Sequence, residues 1–410
     1  MILNFSSVRN VAIAAVALVS GLANPVTAKD VIAPTGSSSS LPFSPAIRSG
    51  DYVYLSGTIP DRPGEGETQL SIEEQTRQVF QKLGKTLAAA GLDFTDVVAA
   101  NVYLTSTADF QAMNGVFRET FSEWRPVRAT VRTDLAIPGI GIEIALTAVR
   151  KGVEKKAIVP KGWKEPTSPY SWGIRTGDTF FLSGMVSRDP RKGELVEGDV
   201  TVQTRQVLRN IGELLAAEGL GPGDVVSSQV YLFSADDFQA MNAVYAEFFG
   251  KTPPARATVE AQLMNPALRV EIQCLAVRDP RRRVAVPEGL GASRSLLSPS
   301  IVAGGRQFLS GMVGRGPAGF AAGDVREQTR RTLMNLEATL KAAGRSFADV
   351  VEARVYLADV KDFAIMNEVY REYFPTAPPV RTTVGTKLMS SEALVEILLT
   401  AEVPFPGGGQ

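Results

Sequence analysis

The chain contains the same series of segments three times, in one order and at one spacing. The segments YLSGTIP, FLSGMVS and FLSGMVG begin at residues 54, 181 and 308, so successive copies lie 127 residues apart. Each is followed by a QTR segment, then a DVV…VYL segment, then a DF…MN segment. This period is far longer than the roughly 20–50 residues of solenoid repeats. The sequence therefore predicts three tandem domains, at residues 40–150, 165–278 and 293–403.

The segments between these domains have a different composition. Residues 151–168 and 279–293 are rich in charged residues, proline and glycine, and they lack apolar periodicity. Such composition is typical of connectors.

Each unit shows the patterns of two helices and at least four strands. Apolar residues recur at helical spacing over residues 71–90, and Gly91 predicts the end of that helix. Asp109 is predicted to cap the helix that begins DFQAMN. Short β-rich runs surround these helices. The predicted order is β-β-α-β-α-β-β, an α+β fold with helices on one face of the sheet.

The last strand of each unit leaves a second apolar face. In unit 2, Leu275 and Val277 alternate with residues that face the helices. An apolar face needs a partner, and three sheets on one chain can cover one another around a pseudo-threefold axis. A chain that closes such a ring by itself is expected to be a monomer.

The N-terminus resembles an export signal. A short apolar run, residues 11–23, follows one arginine and precedes the small residue Ala28. This layout predicts a secretory signal peptide over residues 1–28, too short to span a bilayer, and a periplasmic or secreted mature protein without a membrane anchor. The alternative is a buried N-terminal helix.

The composition limits the chemistry. The chain has no histidine, one cysteine (Cys274), and 43 basic against 43 acidic residues. It therefore lacks the commonest general base and metal ligand, and its charge does not favour a nucleic-acid partner. We expect no metal and no cofactor. Cys274 lies in an apolar run and is predicted to be an inert core residue.

An arginine precedes a glutamate by fifteen positions in every unit. The pairs are Arg128 and Glu143, Arg256 and Glu271, and Arg381 and Glu396. In a hairpin symmetric about its loop, two such positions would face each other directly, on the same face of the sheet. The pair then forms either a cross-strand salt bridge or a clamp for a ligand carboxylate, since each arginine follows a proline-containing turn at a strand edge.

Taken together, these motifs resemble the Rid (YjgF-like) family of reactive-intermediate enamine/imine deaminases. The resemblance lies in the Ser-Gly strand, the DF…MN helix and the P-x-R-[AT]-T-V strand, and it covers nearly all of each unit. It implies chorismate-mutase-like domains and a homotrimer with a site at each subunit interface. Here the three copies would form an intramolecular pseudo-trimer.

The resemblance also implies roles for individual residues. Arg128, Arg256 and Arg381 would bind the substrate carboxylate, and Glu143, Glu271 and Glu396 would place the attacking water. A tyrosine that lines the neighbouring subunit's pocket matches Tyr170, whereas the other units have Phe43 and Leu297 there. The cysteine that some members carry after the arginine is a threonine in all three units (Thr130, Thr258 and Thr383).

Two further sets are candidate substrate-binding residues. Ser56, Ser183 and Ser310 have no nearby histidine, so their small size is expected to matter more than nucleophilicity. Asn114, Asn242 and Asn367 either touch the ligand or hold a loop by hydrogen bonds, and the second reading is favoured.

The expected function is therefore an exported deaminase, a hydrolase of C=N bonds that converts 2-imino acids to 2-keto acids and ammonia. An unassisted imine already hydrolyses in water, so the site needs to lower the barrier by only a few kcal/mol. One alternative is a non-catalytic protein that binds a small carboxylate on the same scaffold. The ribonuclease label attached to the family is another, but it predicts a basic groove that the balanced charge does not favour.

Overall fold

The computed structural model describes residues 29–36, 42–62, 64, 69–288, 296–321 and 323–403. The predicted signal peptide, residues 1–28, lies outside the described residues. Among the helices of this described part, none has the length and apolar character needed to cross a membrane.

Three units follow one another along the chain with the same core elements. Unit 1 comprises β1 (Asp30–Ile32), β2 (Ala46–Ser49), β3 (Tyr52–Thr58), α1 (Ile72–Ala89), β4 (Val97–Leu104), α2 (Phe110–Thr120), β5 (Val127–Arg132) and β6 (Ile142–Val149). Unit 2 comprises β7 (Lys156–Ile158), β8 (Gly173–Thr176), β9 (Thr179–Leu182), β10 (Met185–Val186), β11 (Arg188–Asp189), β12 (Glu194–Leu195), α3 (Val200–Ala217), β13 (Val225–Leu232), α4 (Phe238–Phe249), β14 (Ala255–Glu260), β15 (Gln262–Leu263) and β16 (Val270–Val277). Unit 3 comprises β17 (Arg283–Val284), β18 (Ser300–Ala303), β19 (Arg306–Leu309), β20 (Met312–Val313), β21 (Arg315–Gly316), β22 (Gly319–Phe320), α5 (Val325–Lys341), β23 (Val350–Leu357), α6 (Phe363–Tyr373), β24 (Val380–Gly385) and β25 (Val395–Glu402).

The predicted β-β-α-β-α-β-β order is confirmed in each unit. In unit 1 the strands lie in the order β1-β2-β3-β6-β4-β5, and β15 of unit 2 is added beyond β5. Unit 2 has the order β14-β13-β16-β9-β8-β7, and unit 3 has β24-β23-β25-β19-β18-β17. Two strands therefore lie at the centre of each sheet. One is the last strand of the unit (β6, β16 or β25), and the other is its neighbour (β4, β13 or β23).

The first helix of each unit forms as the sequence predicts. At the start of α1, the Ser71 hydroxyl accepts a hydrogen bond from the Glu74 backbone N–H, and the Glu74 carboxylate accepts one from the Ser71 backbone N–H, a capping box that satisfies two free N–H groups. Gly91 follows the helix in a left-handed conformation at φ +75°, which glycine adopts without strain. Val79, Leu83 and Leu87 are buried on the face that meets the sheet.

The second helix begins differently from the prediction. Asp109 precedes α2 but makes no capping hydrogen bond from its side chain. A short 3-10 turn comes first, and Ser106 caps that turn by accepting from the Ala108 backbone. The helix thus continues out of a turn that is already capped, so its own first residue needs no cap. Ser234 and Asp359 cap the matching turns in units 2 and 3.

The three sheets pack their inner faces together around a pseudo-threefold axis. One apolar cluster draws on all three units and includes Tyr103, Tyr231 and Tyr356, one from each. Three further clusters each join two units. Val127 of unit 1 packs with Ile174 and Phe181 of unit 2, for example; the other two clusters join units 2 and 3 and units 3 and 1. The ring is therefore closed within one chain, which confirms the predicted pseudo-trimer.

The hairpin predicted between the arginine and glutamate strands is wrong. β5 lies parallel to one edge of β4, with Ala100 opposite Arg128, while β6 lies antiparallel to the other edge, with Tyr103 opposite Glu143. Ala100 and Tyr103 are an odd number of positions apart, so Arg128 and Glu143 face opposite sides of the sheet. The same registers occur in the other units, with Ser228 opposite Arg256, Tyr231 opposite Glu271, Ala353 opposite Arg381 and Tyr356 opposite Glu396.

The reason lies in the connection through the second helix. A strand reached through a helical crossover runs parallel to the strand before it, so β5 pairs with β4. The free edge of β4 then accepts β6. The constant fifteen-residue spacing reflects a loop of constant length between strands that do not pair.

The two connectors also contain more structure than predicted. Lys156–Ile158 pairs with β8, and Arg283–Val284 pairs with β18, each as an edge strand of the following unit. An edge strand needs only backbone groups to join the sheet, so it can form without the apolar periodicity that would predict it.

Candidate active site

Each predicted arginine meets the glutamate of the next unit, not that of its own. Site 1 joins Arg128 of unit 1 to Glu271 of unit 2, and electrostatic attraction links the two side chains. Site 2 joins Arg256 to Glu396 of unit 3, and site 3 joins Arg381 to Glu143 of unit 1. The sequence therefore singled out these arginines and glutamates, but it paired each arginine with the glutamate of its own unit.

The arginine of each site lies between the sheet and aromatic rings of the second helix. The Arg128 Cζ atom lies 4.6 Å from the ring centre of Phe117 and 5.7 Å from that of Phe110. A guanidinium placed over an aromatic face is attracted to it, which stabilises the charge in a buried position. Tyr245 and Phe238 hold Arg256 at 4.6 and 5.8 Å, and Tyr370 and Phe363 hold Arg381 at 4.7 and 5.7 Å.

The sequence analysis missed these aromatic residues. Phe110, Asn114 and Phe117 are four and three positions apart, so they share one face of α2. That spacing, combined with the nearby arginine strand, is the signal that could have revealed them.

The asparagines of the DF…MN helix hold the arginine. In site 2 the Arg256 Nη1 donates to Asn242 Oδ1 at 2.9 Å, and in site 3 the Arg381 Nη2 donates to Asn367 Oδ1 at 2.6 Å. These bonds therefore show asparagines that hold the arginine side chain, whereas the favoured prediction was that they hold a loop. In site 1, Asn114 is equally buried, but its Oδ1 has no hydrogen-bond partner among the described residues.

The Ser-Gly serines connect neighbouring units. Ser183 of unit 2 accepts from the Arg128 backbone N–H at 2.9 Å and donates to the Ser171 carbonyl at 2.6 Å. Both hydrogen-bonding functions of the hydroxyl are thus used within the protein, which favours a positioning role over a substrate contact. Ser310 makes the same two bonds to Arg256 and Ser298, and Ser56 makes them to Arg381 and Ser44.

The glycine after each serine makes room for the glutamate. A Cβ atom on Gly184 would lie 1.9 Å from the Glu271 Oε1 atom, closer than atoms can approach. The Glu271 carboxylate also accepts a hydrogen bond from the backbone of Thr130, two residues after Arg128. The glutamate is thereby fixed from both units. Gly57 and Gly311 stand in the same relation to Glu143 and Glu396.

Burial changes how these glutamates titrate. It raises the pKa of Glu271 to about 8, against the lowering effects of the Thr130 N–H and of Arg128. The pKa values of Glu143 and Glu396 are likewise raised to about 8 by burial, against the attraction of Arg381 and Arg256. Burial therefore favours the protonated form of each carboxyl group.

The arginines remain cationic although they are buried. Burial lowers the pKa of Arg128 and of Arg381 to about 10, and it lowers the pKa of Arg256 as well. All three guanidinium groups are thus charged at neutral pH. Each also has a buried nitrogen without a hydrogen-bond partner among the described residues: Nη1 of Arg128, Nε of Arg256 and Nη1 of Arg381.

The residue from the start of the next unit differs among the sites. In site 1 the ring centre of Tyr170 lies 5.9 Å from the Arg128 Cζ, and in site 3 that of Phe43 lies 5.2 Å from the Arg381 Cζ. Leu297 occupies the corresponding chain position of site 2, directly before Ser298, whose hydroxyl donates to the Pro253 carbonyl. Site 1 alone therefore combines the arginine and glutamate with a tyrosine at this position.

Comparisons with known proteins identify the family of each unit. The chain matches the family described as Endoribonuclease L-PSP over residues 35–150, 163–278 and 292–403. A RutC family protein of Pyrococcus horikoshii is 41% identical over 125 residues, 30% of this chain and 99% of the relative. The 2-iminobutanoate/2-iminopropanoate deaminase of Capra hircus is 39% identical over 112 residues, 27% of this chain and 82% of the relative.

Solved structures show the same relation of one unit to one whole relative. The crystal structure of the YjgF gene product of E. coli is 34% identical, with a TM-score of 0.29, and the match covers 30% of this chain and 98% of that chain. With three family matches that cover most of its length, the chain belongs to the Rid (YjgF-like) family, described as Endoribonuclease L-PSP, as a tandem array of three family domains.

Proposed function

We propose that sites 1 to 3 hydrolyse 2-imino acids to 2-keto acids and ammonia, in an exported protein. The observation that carries the proposal is a buried arginine with an unpartnered nitrogen, paired with a buried glutamate of the next unit whose pKa burial raises to about 8. The names of relatives such as 2-iminobutanoate/2-iminopropanoate deaminase support deaminase chemistry in general.

The arginine would orient the substrate. A guanidinium offers two parallel N–H donors that match a carboxylate, and its aromatic support restricts its own movement. Fixing the carboxylate of a 2-imino acid places the adjacent C=N carbon at a defined distance from the glutamate. Such orientation lowers the barrier because less motional freedom is lost in the transition state.

The glutamate would move the protons. Its carboxyl group, protonated below a pKa of about 8, gives its proton to the imine nitrogen, which makes the carbon electrophilic. The resulting carboxylate takes a proton from water as the water oxygen bonds to that carbon. The proton returns to nitrogen, the C–N bond breaks, and the hydroxyl proton passes to the glutamate. The net change is imine plus water to keto acid plus ammonia.

The three sites would not contribute equally. Only site 1 receives a tyrosine, Tyr170, from the start of the next unit, and burial raises the pKa of that phenol to about 12, so it remains a hydrogen-bond donor. A donor there suits the carboxylate or imine of the substrate. Phe43 and Leu297 offer no such donor in sites 3 and 2. We therefore assign the largest turnover to site 1.

An exported enzyme needs substrate that arises outside the cytoplasm. Oxidation of amino acids by oxidases or dehydrogenases produces 2-imino acids directly. The proposed signal peptide would place the mature chain, residues 29–410, beside such reactions.

Binding without catalysis is the second candidate function. The observation that favours it is the state of sites 2 and 3, where Asn242 or Asn367 already holds the guanidinium and the start of the next unit supplies Leu297 or Phe43 in place of a tyrosine. In that case a keto acid would bind to these sites without imine turnover. Cleavage of RNA is less well supported, since the chain has no histidine and its charges balance at 43 to 43.

The test measures keto-acid release from imines generated in place by an amino-acid oxidase. The mature chain is compared with a variant carrying Arg128→Lys, Arg256→Lys and Arg381→Lys, which keeps the charge but loses the fork geometry. We expect the acceleration to fall at least tenfold in the triple variant, and Arg128→Lys alone to remove most of it. An unchanged rate in a folded triple variant would refute the deaminase proposal. Keto-acid binding without acceleration in the wild type would establish the binding function instead.

A further inference from the structure

A separate cavity lies on the pseudo-threefold axis. It is lined by the inner faces of the three sheets and has a volume of about 80 Å³. The described residues that line it come from all three units, and the arginines and glutamates of sites 1 to 3 are not among them. We call it the axial cavity.

Matching positions of the three units form layers along this cavity. Ala99, Asn101 and Tyr103 alternate along β4 and therefore share its inner face. Tyr103 belongs to the cluster of three tyrosines on the axis, so Asn101 lies one layer away from it. The Asn101 layer is completed by Gln229 and Arg354, and the Ala99 layer by Ser227 and Glu352; all of these line the cavity.

Triplication within one chain makes the cavity asymmetric. A ring of identical units would present three copies of one side chain in every layer. Here one layer presents an asparagine, a glutamine and an arginine, and the next an alanine, a serine and a glutamate. The chain thus has one cavity with distinct sides, which suits a small ligand without threefold symmetry.

The charged lining residues leave an excess of positive charge. Arg354 donates to Glu352 Oε1 from Nη2 at 3.2 Å, so these two charges offset each other. Arg306 is the other charged residue in the lining. Its register partner on β25, Glu402, attracts Arg306 electrostatically, but Glu402 does not line the cavity and is hydrogen-bonded to Ser49.

Arg306 is held firmly with one donor free. Its Nη2 donates to Thr179 Oγ1 at 2.6 Å, and its Cζ lies 4.5 Å from the ring centre of Tyr52. The side chain is only 6% exposed. Its Nε has no hydrogen-bond partner among the described residues. A buried, fixed guanidinium with an open donor is the side of the cavity where an anion would be stabilised.

Two amide oxygens in the lining can accept hydrogen bonds from a ligand. Asn101 Oδ1 and Gln229 Oε1 are buried and have no partner in the described part of the chain. Their side chains are only 6% and 3% exposed. Buried acceptors of this kind are normally satisfied, because an unmet one costs about 1–3 kcal/mol. A ligand that supplies a donor would satisfy them.

We propose that the axial cavity binds one small carboxylate that also carries a hydrogen-bond donor, either a hydroxy acid or an amino acid. The carboxylate lies against Arg306, and the donor lies against the amides of Asn101 and Gln229. The proposal does not depend on catalysis at sites 1 to 3.

The number of ligands per chain separates this site from the others. Titration calorimetry of the mature chain with glycolate is expected to give one binding event that survives in the Arg128→Lys, Arg256→Lys, Arg381→Lys variant. Alanine is the amino-acid probe, acetate lacks the donor, and sulfate tests simple anion binding. We expect glycolate or alanine to bind at least tenfold more tightly than acetate and sulfate, and whichever is the tighter identifies the ligand class.

Substitutions in the lining then locate the site. Asn101→Leu removes an acceptor and Arg306→Gln removes the charge, and each is expected to weaken binding at least tenfold. If either fails to fold, Ser227→Leu fills the cavity from a half-buried lining position and should have the same effect. Gln81→Leu, on the exposed face of α1, is the control and should leave binding unchanged.

The proposal is overturned by several results. It fails if no probe binds the folded wild type, or if binding is lost in the triple arginine variant. It also fails if Ser227→Leu binds as the wild type does. Equal affinity for acetate and glycolate would remove the role of the amide oxygens and overturn the proposed ligand class.

Discussion

At the scale of single residues, the geometry of the three sites depends on glycines whose lack of a side chain leaves room for the glutamate carboxyl groups. A Cβ atom added to Gly57, Gly184 or Gly311 would lie only 1.8 to 1.9 Å from the Oε1 atom of a glutamate, which is too close for any side chain. The glutamate side chain is confined there by burial and by the threonine N–H of the preceding unit. The position of each glutamate therefore depends on the absence of a side chain at the neighbouring glycine.

The first prediction concerns these glycines. Replacing all three by alanine should displace the glutamates and lower imine turnover at least tenfold, while the arginines stay in place and keto-acid binding is reduced much less. Overpacking of this kind costs about 1–3 kcal/mol of stability. Keto-acid release and thermal unfolding are measured together.

Gly115→Ala is the matched control. Gly115 lies in α2, and a Cβ there would meet nothing within 4 Å. We expect wild-type turnover and up to about 1 kcal/mol of added stability, because alanine restricts the unfolded chain more than glycine does. Full activity in the triple alanine variant would contradict the assigned role of the glutamates.

The second prediction concerns pH and follows from the buried glutamates. Their pKa is about 8 in the folded chain and about 4.5 when unfolded. Between these values the unfolded chain has lost the protons that the folded chain keeps, so the free energy of unfolding falls as pH rises from about 4.5 to about 8. Above that window the loss is complete.

A variant with Glu143→Gln, Glu271→Gln and Glu396→Gln isolates this effect. Its stability relative to the wild type should increase from pH 5 to pH 8 by at least about 1.4 kcal/mol, the equivalent of one pKa unit. Urea unfolding at pH 5, 7 and 9 provides the measurement. A difference that stays constant with pH would show that the glutamates are ionised in the folded chain.

At the scale of elements, the decisive contact is between the arginine strand of one unit and the Ser-Gly segment of the next. Ser183 bonds the Arg128 backbone and the Ser171 carbonyl, and Gly184 donates to the Arg128 carbonyl at 3.0 Å. Ser171 in turn donates from its backbone to Pro126 at 3.0 Å. These bonds align the arginine of one unit with the glutamate of the next.

The third prediction is that Ser183→Ala weakens this junction. It leaves a buried N–H and a buried carbonyl unpaired, which should cost about 1–3 kcal/mol of stability. Turnover at site 1 should fall as the Arg128 strand loses its alignment. Ser106→Ala, which removes only an exposed turn cap, is the comparison and should leave turnover unchanged. Chemical denaturation and the imine assay are the measurements for both variants. Equal turnover in Ser183→Ala and Ser106→Ala would contradict the role of Ser183 in aligning the Arg128 strand.

At the scale of the whole molecule, the three units contact one another in a closed ring. The axial cluster includes Tyr103, Tyr231 and Tyr356, and it would be exposed in any unit taken alone. β15 of unit 2 pairs with β5 of unit 1, and single bridges link Asp134 to Gly385 and Val259 to Leu388. Each unit is thus bonded to both others.

The fourth prediction is that the mature chain is a monomer that unfolds in one transition. Shared cores make partial unfolding costly, since opening one unit exposes apolar faces of the other two. Light scattering at two protein concentrations and differential scanning calorimetry are the measurements. A concentration-dependent mass or three separate transitions would contradict it.

The sequence by itself determined the repeat, the order of elements and the chemical groups of the site. Helical periodicity predicted residues 71–90 where the structure has Ile72–Ala89, because the helix's capping residue and the terminal glycine are local signals. The arginines and glutamates were singled out by their repeated spacing, and their roles were implied by the family resemblance.

Only the tertiary structure decided which arginine meets which glutamate. Spacing along the chain fixes the alignment only of strands that pair, and β5 and β6 are separated by β4. Arg128 and Glu143 consequently face opposite sides of one sheet and find partners in different neighbours. The aromatic support of the arginines and the asymmetric axial cavity arise in the same way, from contacts between elements far apart in the sequence, and local patterns do not encode them.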